Sequence, residues 1–261
     1  MPTTGDSETR TGSQAIERAL AIMTCFGPEH TEISLTELSR ATDLRVSTAH
    51  RIASALVRGG FLARDTHSER YQLGPRLAIL GQTAMAQYGL MVAQPLLQEL
   101  ADATGEAVSL GVRDGGDVVV ALRVESSQPL RFDRPAGSRV RLHASAMGKA
   151  LLAFALDDVK TTVQAIGKLE RFTPKTLTQR AALVASLDQA RRVGYAINDE
   201  ERHEGVRGLG APILDRSGVA RAAVAIQGPV NRLTPKRLAD LGPCVVATAD
   251  RLAAVLPLDR L

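Results

Sequence analysis

From Arg45 to Arg64 the chain carries four arginines, at positions 45, 51, 58 and 64, and no acidic residue. A guanidinium grips phosphate or forks onto guanine O6 and N7, and Ser, Thr and His reach phosphates or base edges. A second place for chemistry is Ser145, just before a helix expected to begin near Met147. A serine N-cap at the positive end of a helix dipole leaves the amides of Ala146, Met147 and Gly148 pointing outward, a pocket for a carboxylate; simple capping explains the same serine. Other motifs fail. Gly148-Lys149 lacks the upstream glycine of a phosphate loop, because His143 stands there and Ala150 replaces Ser or Thr. Ser145 and Lys149 are four apart, where an acylation motif needs three. His143 and His203 lack a cysteine or acidic partner pattern and read as core or surface histidines, so no metal, cofactor or catalytic constellation is expected. Asp199-Glu200-Glu201 reads as a solvated turn.

These residues need elements to hold them. Ser13 reads as the N-cap of a helix whose apolar face is Ile16, Ala19, Leu20 and Met23, stopped by Gly27-Pro28. Ser34-Leu35-Thr36-Glu37 is a capping box opening a short helix to Ala41, with Leu35 and Leu38 inward. A third helix over 46–58 buries Ala49, Ile52, Ala53 and Leu56 and turns Ser47, His50, Arg51, Ser54 and Arg58 outward. Arg45 and Thr48 lie at its start, and Gly59-Gly60 ends it. Strands at 61–64 and 70–73 form a hairpin that carries Arg64. Helix, short helix, turn, helix, hairpin is the order of a winged helix-turn-helix, whose third helix enters the major groove of double-stranded DNA. A solvated face on an ordinary three-helix domain is the bland alternative; the hairpin and the acid-free stretch favour DNA.

A helix over 76–87 leaves this domain, with Gly89 at the join. Leu77, Leu80 and Ala84 form a stripe able to pack on a second copy. Downstream, helices are expected at 95–104, 147–155 and 178–192, strands at 107–112 and 118–124 around Asp114-Gly115-Gly116-Asp117, a strand at 140–143, and a hairpin of 212–214 with 219–226. Thr234-Pro235 starts a last helix that Gly242-Pro243 should kink or split. Locally paired strands with helices between them give an α+β class with an antiparallel sheet. The expected division is a disordered tail over 1–12, a DNA-binding domain over 13–74, a linker helix over 75–89 and a second domain over 90–261.

Composition agrees. The 261 residues, 44% of them hydrophobic, suffice for two cores, and the net charge of +4 leans basic without deciding anything alone. Eight aromatics and no Trp make an aromatic base-stacking platform improbable. Cys25 and Cys244, far apart, read as reduced thiols of a cytoplasmic protein. No leader or membrane span is expected.

Longer stretches resemble a known family. Ser13-Gln14-Ala15-Ile16-Glu17-Arg18-Ala19-Leu20, Ser47-Thr48-Ala49-His50-Arg51-Ile52, Gly60-Phe61-Leu62 and Tyr71-Gln72-Leu73-Gly74 are similar to the DNA-binding domain of IclR-type bacterial regulators. The segment from Leu142-His143-Ala144-Ser145-Ala146-Met147-Gly148-Lys149 to Ala153, then Gly194-Tyr195-Ala196-Ile197-Asn198-Asp199-Glu200-Glu201, Gly205-Val206-Arg207 and Ala211-Pro212-Ile213, resemble its effector domain. The resemblance implies a GAF-like effector-binding domain, a linker helix, a homodimer or dimer of dimers, and control by a small organic effector. Two-fold pairing on a palindromic operator follows from the few bases that one helix can read. In members that bind small keto acids, the further polar contacts fall at Asn198, Gly208, Ala225 and Gln227. Where those members carry Asp, Cys, Ser and Ser, this chain has Asn, Gly, Ala and Gln, which implies lost hydrogen bonds, extra space at Gly208 and a larger or less polar ligand. The function implied is a sequence-specific transcriptional regulator whose operator affinity is set by a small, carboxylate-bearing effector. The alternatives are a sequence-tolerant architectural DNA-binding protein with no effector and an enzyme that merely carries a helix-turn-helix.

Overall fold

A computed structural model describes residues 6–27, 29–130 and 135–260. The chain divides into two compact units, 1–84 and 85–261.

In the first unit, α1 (Asp6–Met23) starts earlier than expected, so Ser13 caps nothing and instead bonds Glu17 one turn on. The tail expected over 1–12 is helical from Asp6; residues 1–5 lie outside the described residues, as does Pro28 of the expected stop. The Ser34 box is present in both directions. Ser34 Oγ accepts the Glu37 amide at 3.3 Å, and Glu37 Oε2 accepts the Ser34 amide at 2.7 Å, opening α2 (Leu35–Ala41). Next comes α3 (Val46–Arg58), which buries Ala49, Ile52 and Ala53. A two-residue strand that the sequence reading missed, β1 (Glu32–Ile33), joins β2 (Leu62–Arg64) and β3 (Tyr71–Leu73) in a sheet of order β1-β3-β2. The core is Ile22, Ile33, Leu38, Ile52, Ala53, Leu62 and Tyr71. The helix that follows, α4 (Pro75–Gln87), has no buried residue.

The second unit opens on α5 (Leu90–Thr104), entered through Gly89 at φ 68. A six-stranded antiparallel sheet follows, built from β4 (Ala107–Asp114), β5 (Asp117–Val124), β6 (Arg139–Arg141), β7 (Ala196–Asp199), β8 (Val206–Leu214) and β9 (Ala220–Pro229), in the order β6-β5-β4-β9-β8-β7. One face, with Val108, Leu110, Leu209, Ala211, Val224 and Ile226, packs on α5 and on α9 (Pro235–Val255). The other face packs on α6 (Ala146–Ala153), α7 (Val159–Ala165) and α8 (Arg180–Val193). The fold class is the expected α+β with an antiparallel sheet. Several details differ: α5 starts at Leu90 where 95 was expected, and β8 at Val206 where 212 was expected. The expected strand at 140–143 ends at Arg141, because residues 142–144 form a 3-10 turn that leads into α6. The short α7, capped by Asp158, and the strand β7 had no counterpart in the sequence reading. The last helix is unbroken: Gly242 lets the Tyr195 ring pack where a Cβ would stand.

Candidate DNA-binding face and effector site

Ser47, Arg51, Ser54 and Arg58 fall at i, i+4, i+7 and i+11, one face of α3 opposite its buried residues. Arg45, Ser47, His50, Arg51 and Arg58 are exposed; Thr48 and Ser54 are half-buried. Among the described residues, Arg45, Arg51 and Arg58 take part in no hydrogen bond or ion pair, whereas Arg70 is held by Glu37 at 2.8 Å. No side chain caps α3, so its first amides and its positive dipole end are open to an anion, a feature the sequence reading did not draw. Arg64 differs from the arginines on α3. It pairs with Glu69 at 3.0 Å and lies over the Tyr71 ring, 5.7 Å from its centroid. At the hairpin tip, Asp65 Oδ1 accepts the amides of Ser68 and His67, at 2.6 and 2.9 Å, and hydrogen bonds from Ser68 and then His67 hold its carboxyl below the usual range. The wing therefore presents as much negative as positive charge.

In the second unit the eight residues expected at an effector site are all buried, and the fold brings them together. Asn198 stands opposite Gly208, and Gly208 opposite Gln227; one step along the same sheet face, Gly210 stands opposite Ala225. The first turn of α6 lies on these glycines. A Cβ on Gly210 would sit 2.9 Å from the Met147 amide nitrogen, and a Cβ on Gly208 would meet Gln227 Cγ and the Ile226 carbonyl at 3.2 Å and Ala146 Cβ at 3.6 Å. The extra space expected at Gly208 is thus already occupied by Gln227 and α6. Ser145 caps α6 as expected, but its Oγ accepts the Gly148 amide at 3.1 Å. Of the three amides expected to point at a ligand, those of Ala146 and Met147 remain without a helical acceptor. Asn198 is engaged at both ends: Nδ2 donates to the Ala144 carbonyl at 2.7 Å, and Oδ1 accepts the Glu201 amide at 3.0 Å. The Gln227 Oε1 is buried with no hydrogen-bond partner.

The sequence reading missed the strongest charges here. Lys149, 1% exposed, donates to Glu201 Oε1 at 2.5 Å and to Ser186 Oγ at 3.4 Å. Glu201 is no solvated turn residue: it is 5% exposed, and its Oε2 is unpartnered. Its carbonyl accepts the Thr176 hydroxyl at 2.6 Å, and the carbonyl of Glu200, at φ 60, accepts that of Thr173 at 2.8 Å. Lysine inside the otherwise apolar run Met147-Gly148-Lys149-Ala150-Leu151-Leu152 was the available signal for a buried, paired cation. His143 is a core histidine, bonded to the Glu170 carbonyl at 2.9 Å and stacked on Phe172.

An open arginine face on a helix-turn-helix, followed by a unit that encloses a polar site, defines a DNA-binding transcriptional regulator with an effector domain. The chain belongs to the IclR family: residues 84–254 match the bacterial transcriptional regulator IclR C-terminal domain, and residues 15–66 match the IclR helix-turn-helix domain. It is similar to the HTH-type transcriptional regulator BhcR of Paracoccus denitrificans, 37% identical over 93% of this chain and 87% of that protein. It is also similar to the HTH-type transcriptional repressor AllR of Escherichia coli, 32% identical over 95% of this chain and 92% of that one. A crystal structure of a putative transcriptional regulator from Rhodococcus sp. RHA1 superposes with a TM-score of 0.80 at 33% identity, covering 93% of this chain and 98% of that one.

Proposed function

We propose that the chain binds a palindromic operator as a homodimer or dimer of dimers, with α3 in the major groove, and that an organic acid held at the N-terminal end of α6 changes its operator affinity. The observation that carries this reading is the contrast between the two units: free guanidiniums at an open helix face in one, buried polar atoms lacking partners at a closed site in the other. Arg51, Arg58 and Arg45 supply phosphate or guanine contacts, Ser47, Thr48, His50 and Ser54 reach backbone or bases, and Arg64 has a lesser part because Glu69 already holds it. The amides of Ala146 and Met147 receive the carboxylate. Asn198 acts as a positioning residue that ties its own strand β7 and the loop after it to the entry of α6. The apolar stripe of α4 supplies a dimer contact, and the protein works in the cytoplasm, where its DNA is.

Binding to duplexes from the chain's own upstream region and to random duplexes of equal length, at matched salt, tests the DNA part. Specific binding about a thousandfold or more tighter than random supports a sequence-specific regulator. Equal, steeply salt-dependent binding to both would favour the sequence-tolerant alternative.

A further inference from the structure

Two buried acceptors beside α6 have no donor among the described residues. Glu201 gives one carboxylate oxygen to Lys149 and leaves Oε2 unpartnered; Gln227, 4% exposed, leaves Oε1 unpartnered. They flank one row of the fold. The Glu201 amide is held by Asn198, which stands opposite Gly208, which stands opposite Gln227. Gln227 Cγ lies against Gly208 on the side where Ala146 of α6 packs. Buried polar groups are almost always hydrogen-bonded, and an orphan acceptor is costly. The site is therefore two-ended. The α6 amides need an acceptor, while Glu201 Oε2 and Gln227 Oε1 need donors. The Gln227 carboxamide can turn to offer its NH2 instead; the Glu201 carboxylate is acceptor-only, so it sets the requirement.

We propose that the effector is an acid that also carries a hydroxyl or N–H group, donated to Glu201 Oε2 or Gln227 Oε1. This rests on the carboxylate site proposed above. A plain acid or a keto acid offers only acceptors at that end and leaves both oxygens unpaired. Sites built to hydrogen-bond a hydroxyl reject the analogue lacking it far more strongly than apolar pockets reject a missing methylene.

The test is calorimetric titration of the full-length protein with matched acids: lactate, pyruvate and propionate on one skeleton, 4-hydroxybenzoate and benzoate on another. At least about tenfold tighter binding of a hydroxy acid than of its oxo or deoxy counterpart is expected. Glu201→Gln, with Lys149→Met plus Glu201→Gln as the second variant should the first not fold, should shrink that ratio about threefold or more, because a carboxamide can offer its own NH2. Equal binding across a matched set overturns this inference and leaves the carboxylate site standing. Binding of 4-hydroxybenzyl alcohol as tight as that of 4-hydroxybenzoate, or no binding by any of the acids, overturns the carboxylate site and this inference with it.

Discussion

Arg51 and Arg64 carry the same charge on the same unit and should behave differently when removed. Arg51 is uncommitted on the exposed face of α3, while Arg64 is tied to Glu69 across the wing. Arg51→Ala should weaken operator binding by about 1–3 kcal/mol if it reads a base, and relax specificity at one position. Arg64→Ala should cost less and affect operator and random duplex alike. Equal losses on the operator in a titration of both variants would contradict this assignment. Inside the second unit the decisive pair is Lys149 with Glu201. Breaking a buried ion pair from one side strands the other charge, so Lys149→Met should cost about 3–5 kcal/mol in urea unfolding, and Lys149→Met with Glu201→Leu should recover much of that. A single variant as stable as the parent would mean that water reaches the pair. Positions were legible where the pattern exposes a side chain, as at Ser47, Arg51 and Arg58. They were not legible where long-range pairing decides. Nothing local to Asp199-Glu200-Glu201 reveals a lysine fifty-two positions away in sequence, or that Gln227 fills the space at Gly208.

Among the elements, those with strong caps or long periodic stripes were readable: the Ser34 box, the α3 stripe, and the hairpin at Asp114-Gly115-Gly116-Asp117. Elements without such signals were not. β1 has two residues, too few for a period; α7 has seven; β7 reads Ala-Ile-Asn-Asp, a poor strand former whose pairing to β8 is tertiary. Gly242-Pro243 looked like a break because its local rule is strong, but α9 runs on through it, with the Tyr195 ring against Gly242. Two expectations belong at this scale. Ser34→Ala removes one half of the α2 capping box and should destabilise the first unit by about 1 kcal/mol, read as a lowered unfolding midpoint. Asp215, in the turn between β8 and β9, has its carboxyl held well below the usual range by the Ser217 hydroxyl, then by Arg221 and the Val219 and Ser217 amides. A depressed folded pKa means that the stabilisation is present above the unfolded value, about 3.9, and is lost as pH falls through the folded one. Protection of the turn amides should therefore be constant from neutral pH to about pH 4 and decline only below it. Titration of Asp215 at or above the ordinary value, followed by NMR, would contradict this.

For the molecule as a whole, α4 is the element proposed to carry the contact between copies. It has no buried residue, and Ile79 and Leu80 are 64% and 48% exposed. Light scattering should give a dimer or tetramer at micromolar concentration, and Leu80→Glu should shift it toward monomer; a monomeric parent would remove α4 as the contact. A dimer also gives the two recognition helices that a palindrome requires. An acid held at the N-terminal end of α6 changes DNA affinity only if it prefers one arrangement of the protein, and the coupling is then reciprocal: operator DNA must change the acid's affinity by the same factor. The most direct test is the dissociation constant of the full-length protein for its operator, measured by fluorescence anisotropy at fixed salt without and with a saturating acid that titration has shown to bind. A change of about 5–150-fold, in either direction, is predicted, with random duplex little affected. An operator affinity that stays the same when the site is full would contradict the account.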